Sequence, residues 1–265
     1  MRLTIVQTDL VWESPADNCA RFERMLAPLS GQTDLVALPE MFTTGFSMNA
    51  NRLAESMDGP TVHWLREQAA RLNAAVLGSF ICRDNEHFYN RLLVALPDGA
   101  LHYYDKRHLF GLGKEDQTYT AGRQRLLFDW KGWRICPLIC YDLRFPVWSR
   151  QPPNEPPYDL LLYVANWPAR RAHHWRTLLP ARAVENQCYV AAVNIVGTDG
   201  NGLEYQGDSG LWDFGGQAFC MLTYQKGFFT AELSLEALRQ YRQQLPFLQD
   251  ADSFILKPPG LTGGD

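Results

Sequence analysis

Over residues 3–8 apolar and polar positions alternate as in a half-buried strand, and after Pro15 and Asp17 the residues Phe22, Met25, Leu26 and Leu29 recur at helical spacing. A second apolar strand, residues 34–38, runs into Pro39-Glu40-Met41-Phe42 and a loop with Gly45. Gly59-Pro60 opens a helix whose apolar face is Val62, Leu65, Ala69 and Leu72 and which ends near Asn73. Residues 75–82, 89–96 and 101–104 then read as three strands with no helix between them, so the sheet is expected to turn antiparallel. A long polar loop follows from Asp105 to Gly122, carrying Lys106 and Glu115. Loops of that length inside a compact domain are usually functional.

The second half repeats the logic. Residues 125–130 and 133–139 pair as a hairpin through Lys131-Gly132, and the apolar run Ile135 to Ile139 ends abruptly at Cys140. Residues 158–165 form a buried strand, Asn166-Trp167-Pro168 a turn, and 173–186 a helix. Strands at 188–196, 209–214, 218–222 and 227–232 precede a last helix over 234–244, and the Pro- and Gly-rich tail after Lys257 reads as an extended arm or frayed end. About a dozen strands with helices at four main places predict an α/β fold: two sheets back to back, each covered outside by helices. One domain over residues 1–265 is expected, with an arm from about residue 245.

Composition narrows the function. The 265 residues are 46% hydrophobic and carry a net charge of -4 with both signs interspersed, which points away from nucleic acid and membrane surfaces and toward a small-molecule partner. The six cysteines, at 19, 82, 136, 140, 188 and 220, form no Cys-x-x-Cys pair and read as reduced thiols. With no secretory signal or membrane-span pattern, a cytoplasmic protein is expected.

Cys140 is the leading candidate for chemistry. A cysteine pushed out of a sheet at a strand-to-helix elbow meets unpaired amides, which favour a thiolate nucleophile. The bland alternative is a small buried hydrophobe. Glu40 and Lys106 also end strands, and the carboxyl ends of strands are where open α/β sheets place ligands, so all three are expected at one mouth. Glutamate serves as a general base, and a neighbouring lysine keeps it charged and steadies a developing oxyanion. A Cys-His arrangement through His108 or the pair His173-His174 competes, although no orienting partner is evident for either. Gly207-Asp208-Ser209-Gly210 looks like a trypsin-type nucleophile motif, but it lacks the continuing Gly-Pro and a suitably placed histidine, and reads better as a glycine-rich strand entry. No metal site is expected: the adjacent histidines and unpaired cysteines lack ligand spacing.

LPEMFTTGF around Glu40, YYDKRHLF around Lys106 and ICYDLRFP around Cys140 resemble, in order, the three catalytic motifs of the carbon-nitrogen hydrolase (nitrilase) superfamily. RAVENQCYVAAVNIVG and GDSGLWDFGG extend the similarity over nearly the whole chain. Cys-Tyr-Asp, rather than Cys-Trp-Glu, resembles the amidase branches, and among them the bacterial omega-amidases. The resemblance implies a four-layer α-β-β-α sandwich, no cofactor, a homodimer, and a Glu40-Lys106-Cys140 triad with Glu115 as second glutamate. The expected activity is hydrolysis of the terminal amide of 2-oxoglutaramate or 2-oxosuccinamate through a thioester. Another small amide, an N-carbamoyl compound or a nitrile is the alternative substrate, and a catalytically silent binding module the alternative of another class.

Phe42, Phe46, Tyr141 and Trp167 are expected to wall a small pocket, with an arginine gripping the substrate carboxylate. Arg170 is the first choice and Arg144 the second, since Arg144 is also placed to brace the elbow through Asp142 or Glu185; Arg171 is the third candidate.

Overall fold

A computed structural model describes residues 1–151 and 156–256. The tail after Lys257 lies outside the described residues. The first half builds β1 (Arg2–Gln7), α1 (Pro15–Leu26), β2 (Leu35–Ala37), a short α2 (Ala50–Leu53), α3 (Pro60–Leu72), β3 (Ala75–Asp84), β4 (His87–Ala95) and β5 (Leu101–Asp105). The second half builds β6 (Phe128–Trp130), β7 (Trp133–Ile139), α4 (Pro146–Ser149), β8 (Leu160–Val164), α5 (Ala172–Asn186), β9 (Tyr189–Val193), β10 (Val196–Thr198), β11 (Glu204–Trp212), β12 (Ala218–Thr223), β13 (Gly227–Glu232) and α6 (Leu235–Gln244).

Two sheets result. One runs β13-β1-β2-β3-β4-β5 and the other β10-β11-β9-β8-β7-β6, with β12 beside β11. Strands β1, β2 and β3 are parallel and β3, β4 and β5 antiparallel, as the missing helices between the last three require. Strict alternation in the first sheet sorts its side chains between two cores. Leu3, Ile5, Leu35, Ala37, Ala75, Leu77, Leu92 and Val94 face the second sheet, where Ile135, Leu160 and Leu162 meet them. Their neighbours Val6, Val36, Leu38, Val76, Leu93 and Ala95 face α1 and α3, packing on Phe22, Val62 and Leu65. Trp175, Leu179 and Ala183 of α5 cover the far side of the second sheet. The four layers are therefore helix, sheet, sheet, helix, and truncating a core leucine to alanine costs about 2–5 kcal/mol.

The differences from expectation cluster at one place. Residues 188–196 do not make one strand: β9 stops at Val193, because the Asn194 side chain leaves the ladder to bond Trp167 and Gly207. Strand β11 begins at Glu204 rather than Ser209, with Gly207 and Asp208 at φ +83° and +59° forming a bulge that looks like a turn in sequence. A Cβ on Gly207 would lie 2.3 Å from the Gln7 amide. Gln7 fills that space and receives the Ser209 amide at 3.0 Å while donating to the Leu222 and Gln225 carbonyls, stitching β1 to the second sheet. The GDSG run is thus an inter-sheet joint: Ser209 is buried, its hydroxyl donates to the Asn194 carbonyl, and Asp208 pairs with Arg176.

Candidate active site

Glu40 follows β2, and the next residue, Met41, sits at φ +43°, turning the chain sharply. Lys106 follows β5, held by Arg91, whose buried guanidinium pairs with Asp105 at 2.7 Å. Cys140 follows β7 at φ +41°. A non-glycine residue there costs about 1–3 kcal/mol. Asp142 over-determines the elbow: it accepts from the Ile139 amide at 3.0 Å, the Tyr104 hydroxyl at 2.7 Å, the His108 amide at 3.1 Å and His108 Nδ1 at 2.8 Å. His108 is also stacked on Phe145 at 3.8 Å. The histidine does have an orienting partner, and the pair braces the nucleophile's turn.

Three strand ends from two sheets meet at one point, as their positions in sequence suggest. Lys106 Nζ lies 2.8 Å from Glu40 Oε1 and 3.0 and 2.9 Å from the two Glu115 oxygens. Asn90 Nδ2 donates to both glutamates, at 2.8 and 3.1 Å. Asn166 contributes its main-chain amide to Glu40 Oε2, and the Phe110 amide reaches Glu115 at 2.6 Å. All four residues, Glu40, Lys106, Glu115 and Cys140, are buried. Asn90, Asn166 and Asn194 escaped the sequence reading; β4 reads HFYNRLLVA, where Asn90 stands beside Arg91 and gives no signal of a buried site.

Burial dominates the electrostatics. It pushes the Cys140 thiol well above its ordinary range, Glu40 adds to the effect through charge and a hydrogen bond, and Lys106 opposes it. The expected thiolate stabilisation does not win, because Cys140 heads only a five-residue 3-10 turn, Cys140–Arg144, amid two carboxylates. Burial alone would discharge Lys106, but Glu115 and Glu40 reverse this and hold its ammonium above the usual range. Glu115 is raised by burial, with Lys106 and the Phe110 amide pulling down and Glu40 pushing up.

Above Cys140 and Lys106 opens a cavity of about 510 Å3 whose walls include Phe46, Phe110, Tyr141, Asn166, Trp167 and Tyr205. Phe46 lies under the Lys106 ammonium, 5.3 Å from it. Phe42, expected in the wall, is instead fully buried on the helix side of the first sheet, with Phe22 and Trp64 each at 5.6 Å. The turn at Met41 sends it into that core, where Gly78 makes room for its ring. Tyr141 and Trp167 do line the cavity, as do Arg144, Arg170 and Arg171. Arg144 does not brace the elbow through Asp142 or Glu185. It stacks over Trp167 at 4.7 Å and donates to His174 at 3.0 Å, while Glu185 pairs with Arg182.

The carbon-nitrogen hydrolase family model matches residues 2–243. The chain belongs to that family. It is 47% identical over 257 residues to the omega-amidase YafV of Escherichia coli K12, covering 97% of this chain and 98% of the relative. It is 32% identical to the 2-oxoglutaramate amidase of Bacillus subtilis 168, over 94% of this chain and 96% of that one. Among solved structures, a CN-hydrolase superfamily protein from Xanthomonas campestris with an arsenic adduct in its active site superimposes with a TM-score of 0.95 at 53% identity, covering 97% of this chain and 99% of the other. The α-β-β-α fold is that of the nitrilase superfamily. No helix among the described residues is long and apolar enough to cross a membrane.

Proposed function

We propose that the protein is an omega-amidase, hydrolysing the terminal amide of 2-oxoglutaramate or 2-oxosuccinamate to the 2-oxo dicarboxylate and ammonia. The observation that carries the chemistry is the Glu40–Lys106–Glu115 cluster around the Cys140 thiol at the foot of the cavity. The relatives named omega-amidase and 2-oxoglutaramate amidase support the substrate.

Because the resting thiol is held protonated, attack and proton transfer belong to one event. Cys140 Sγ adds to the amide carbon as Glu40, within hydrogen-bonding reach, takes its proton. Lys106 and the Tyr141 amide, which a helical first turn leaves without an intrahelical partner, hold the oxyanion. Glu40 returns the proton to nitrogen and ammonia departs, leaving a thioester. Water then attacks that thioester, giving its proton to Glu40 or Glu115, and the acid leaves as the thiol re-forms.

The test is ammonia release from 2-oxoglutaramate together with mass spectrometry of the quenched enzyme. An acyl adduct on the peptide containing Cys140 is expected. Robust turnover of a nitrile or of an N-carbamoyl compound with carbon dioxide release, and none of the 2-oxo amide, would overturn the assignment.

A further inference from the structure

We infer that Arg171, rather than Arg170, is the specificity-determining residue that receives the substrate's carboxylate, an inference that rests on the amidase reading of this site. The cavity wall contains acidic and basic side chains, and the two signs are treated differently. Asp199 is satisfied internally by the Tyr205 hydroxyl and the amides of Asn201 and Leu203. Glu13 is satisfied by Arg52, the Ser47 hydroxyl and Asn49. Among the described residues no carboxylate pairs with Arg144, Arg170 or Arg171, and Arg144 meets only the imidazole of His174. The unmet demand of the cavity is for an anion.

Geometry separates the three. Arg170 is exposed at the rim. Arg144 is committed to Trp167 and His174. Arg171 is half-buried, its guanidinium 5.0 Å from the centre of the Phe110 ring, and its own carbonyl accepts from Trp167 Nε1 at 2.8 Å. Phe110 is the residue whose amide binds Glu115, so the ring that carries Arg171 is tied to the cluster beside Cys140. Burial and then the neighbouring Arg170 lower the Arg171 pKa. Unlike Arg144, Arg171 gives no side-chain hydrogen bond among the described residues, which leaves its fork free for bidentate bonding to a carboxylate.

The same field has a second consequence. Glutamine differs from 2-oxoglutaramate by an ammonium on carbon 2, which the guanidinium groups of the cavity wall repel.

The experiment compares wild type with Arg171→Met, Arg170→Met and Arg171→Lys, using 2-oxoglutaramate, neutral hexanamide and glutamine as substrates. Arg171→Met is expected to raise KM for 2-oxoglutaramate about 10- to 100-fold, the worth of a charge-assisted hydrogen-bonded pair, with hexanamide unaffected and the preference over glutamine narrowed. Arg171→Lys should recover part of the loss, and Arg170→Met should raise KM for 2-oxoglutaramate far less than Arg171→Met does. Binding is read independently of turnover by the rise in Tm that 2-oxoglutarate gives to wild type and Arg170→Met but not to Arg171→Met. Equal damage to both kinds of substrate, or loss of the Tm rise in Arg170→Met instead, overturns the inference. Wild type that binds 2-oxoglutarate yet does not hydrolyse 2-oxoglutaramate overturns the omega-amidase reading alone, and the Tm arm still decides the role of Arg171.

Discussion

Asn166 holds Glu40 at both ends: its main-chain amide donates to Glu40 Oε2 at 2.8 Å and its side-chain amide to the Glu40 carbonyl at 2.6 Å. Glu40 ends a strand of one sheet and Asn166 a strand of the other, so the packing of the sheets sets where the general base stands relative to Cys140. Asn166→Ala keeps the main-chain bond and removes the second. It should lose about 1 kcal/mol of stability while lowering kcat more than it changes KM, because the base is displaced and the cavity is not. A KM effect without a kcat effect would assign Asn166 to substrate binding instead.

Cys140→Ala is expected to abolish turnover, whereas Cys136→Ala, in the buried strand leading to the elbow, should cost stability and leave kcat near wild type. Since burial keeps the Cys140 thiol protonated, wild type and Cys140→Ala should show the same thiolate absorbance in the ultraviolet at neutral pH. Acyl-enzyme trapped on any other cysteine would remove Cys140 from the role.

Lys106→Arg should fail although charge is conserved, because a guanidinium fork does not fit the space between Glu40 and Glu115 that a compact ammonium occupies. A loss of roughly 100- to 1000-fold in kcat is expected, the usual effect of removing an oxyanion donor; a rate within about tenfold of wild type would reduce Lys106 to background charge. Lys106→Met leaves two buried carboxylates facing each other and should destabilise the fold by about 3–5 kcal/mol, read as a fall in denaturation midpoint. Glu115→Gln should fold normally and slow the reaction.

Asp34 supplies a stability test that depends on pH. It accepts from the Arg2 amide at 2.7 Å and Lys131 Nζ at 2.6 Å, joining the first sheet to the β6–β7 turn of the second. Burial opposes its charge, but those donors outweigh burial and hold its carboxyl below the ordinary carboxylate range. A depressed folded pKa means the contribution is present above the unfolded value, about 3.9, and is lost as pH falls through the lower folded one. Asp34→Asn should therefore be less stable than wild type by about 1 kcal/mol at neutral pH, the partners being partly exposed, and the gap should close in strong acid. A gap unchanged with pH in chemical denaturation would sink this account.

The elements that place Cys140, Glu40 and Lys106 were legible because each ends an apolar run, and strand ends are visible in a one-dimensional pattern. Phe42 misled because nothing in Glu40-Met41-Phe42 reveals the left-handed turn at Met41 that redirects its ring. Asn90 was illegible for a related reason: in β4 a polar residue reads as a solvent-facing position, and only a second sheet and the Glu115 loop bury it. The bulge at Gly207 and Asp208 imitates a turn, since the Gln7 side chain that occupies the vacated space comes from the far end of the chain. The role of Glu115 came from motif resemblance, not from its loop's pattern.

Strand β1 lies inside the first sheet, between β2 and β13, although β13 is among the last segments made. Until residues 227–232 dock, β1 is an edge strand with unpaired amides and carbonyls beside Leu3, Ile5 and Val6, a template for pairing with other chains. Loop closure between such distant segments is slow and aggregation-exposed. The first sheet is thus complete only when β13, among the last segments made, closes over β1, among the first.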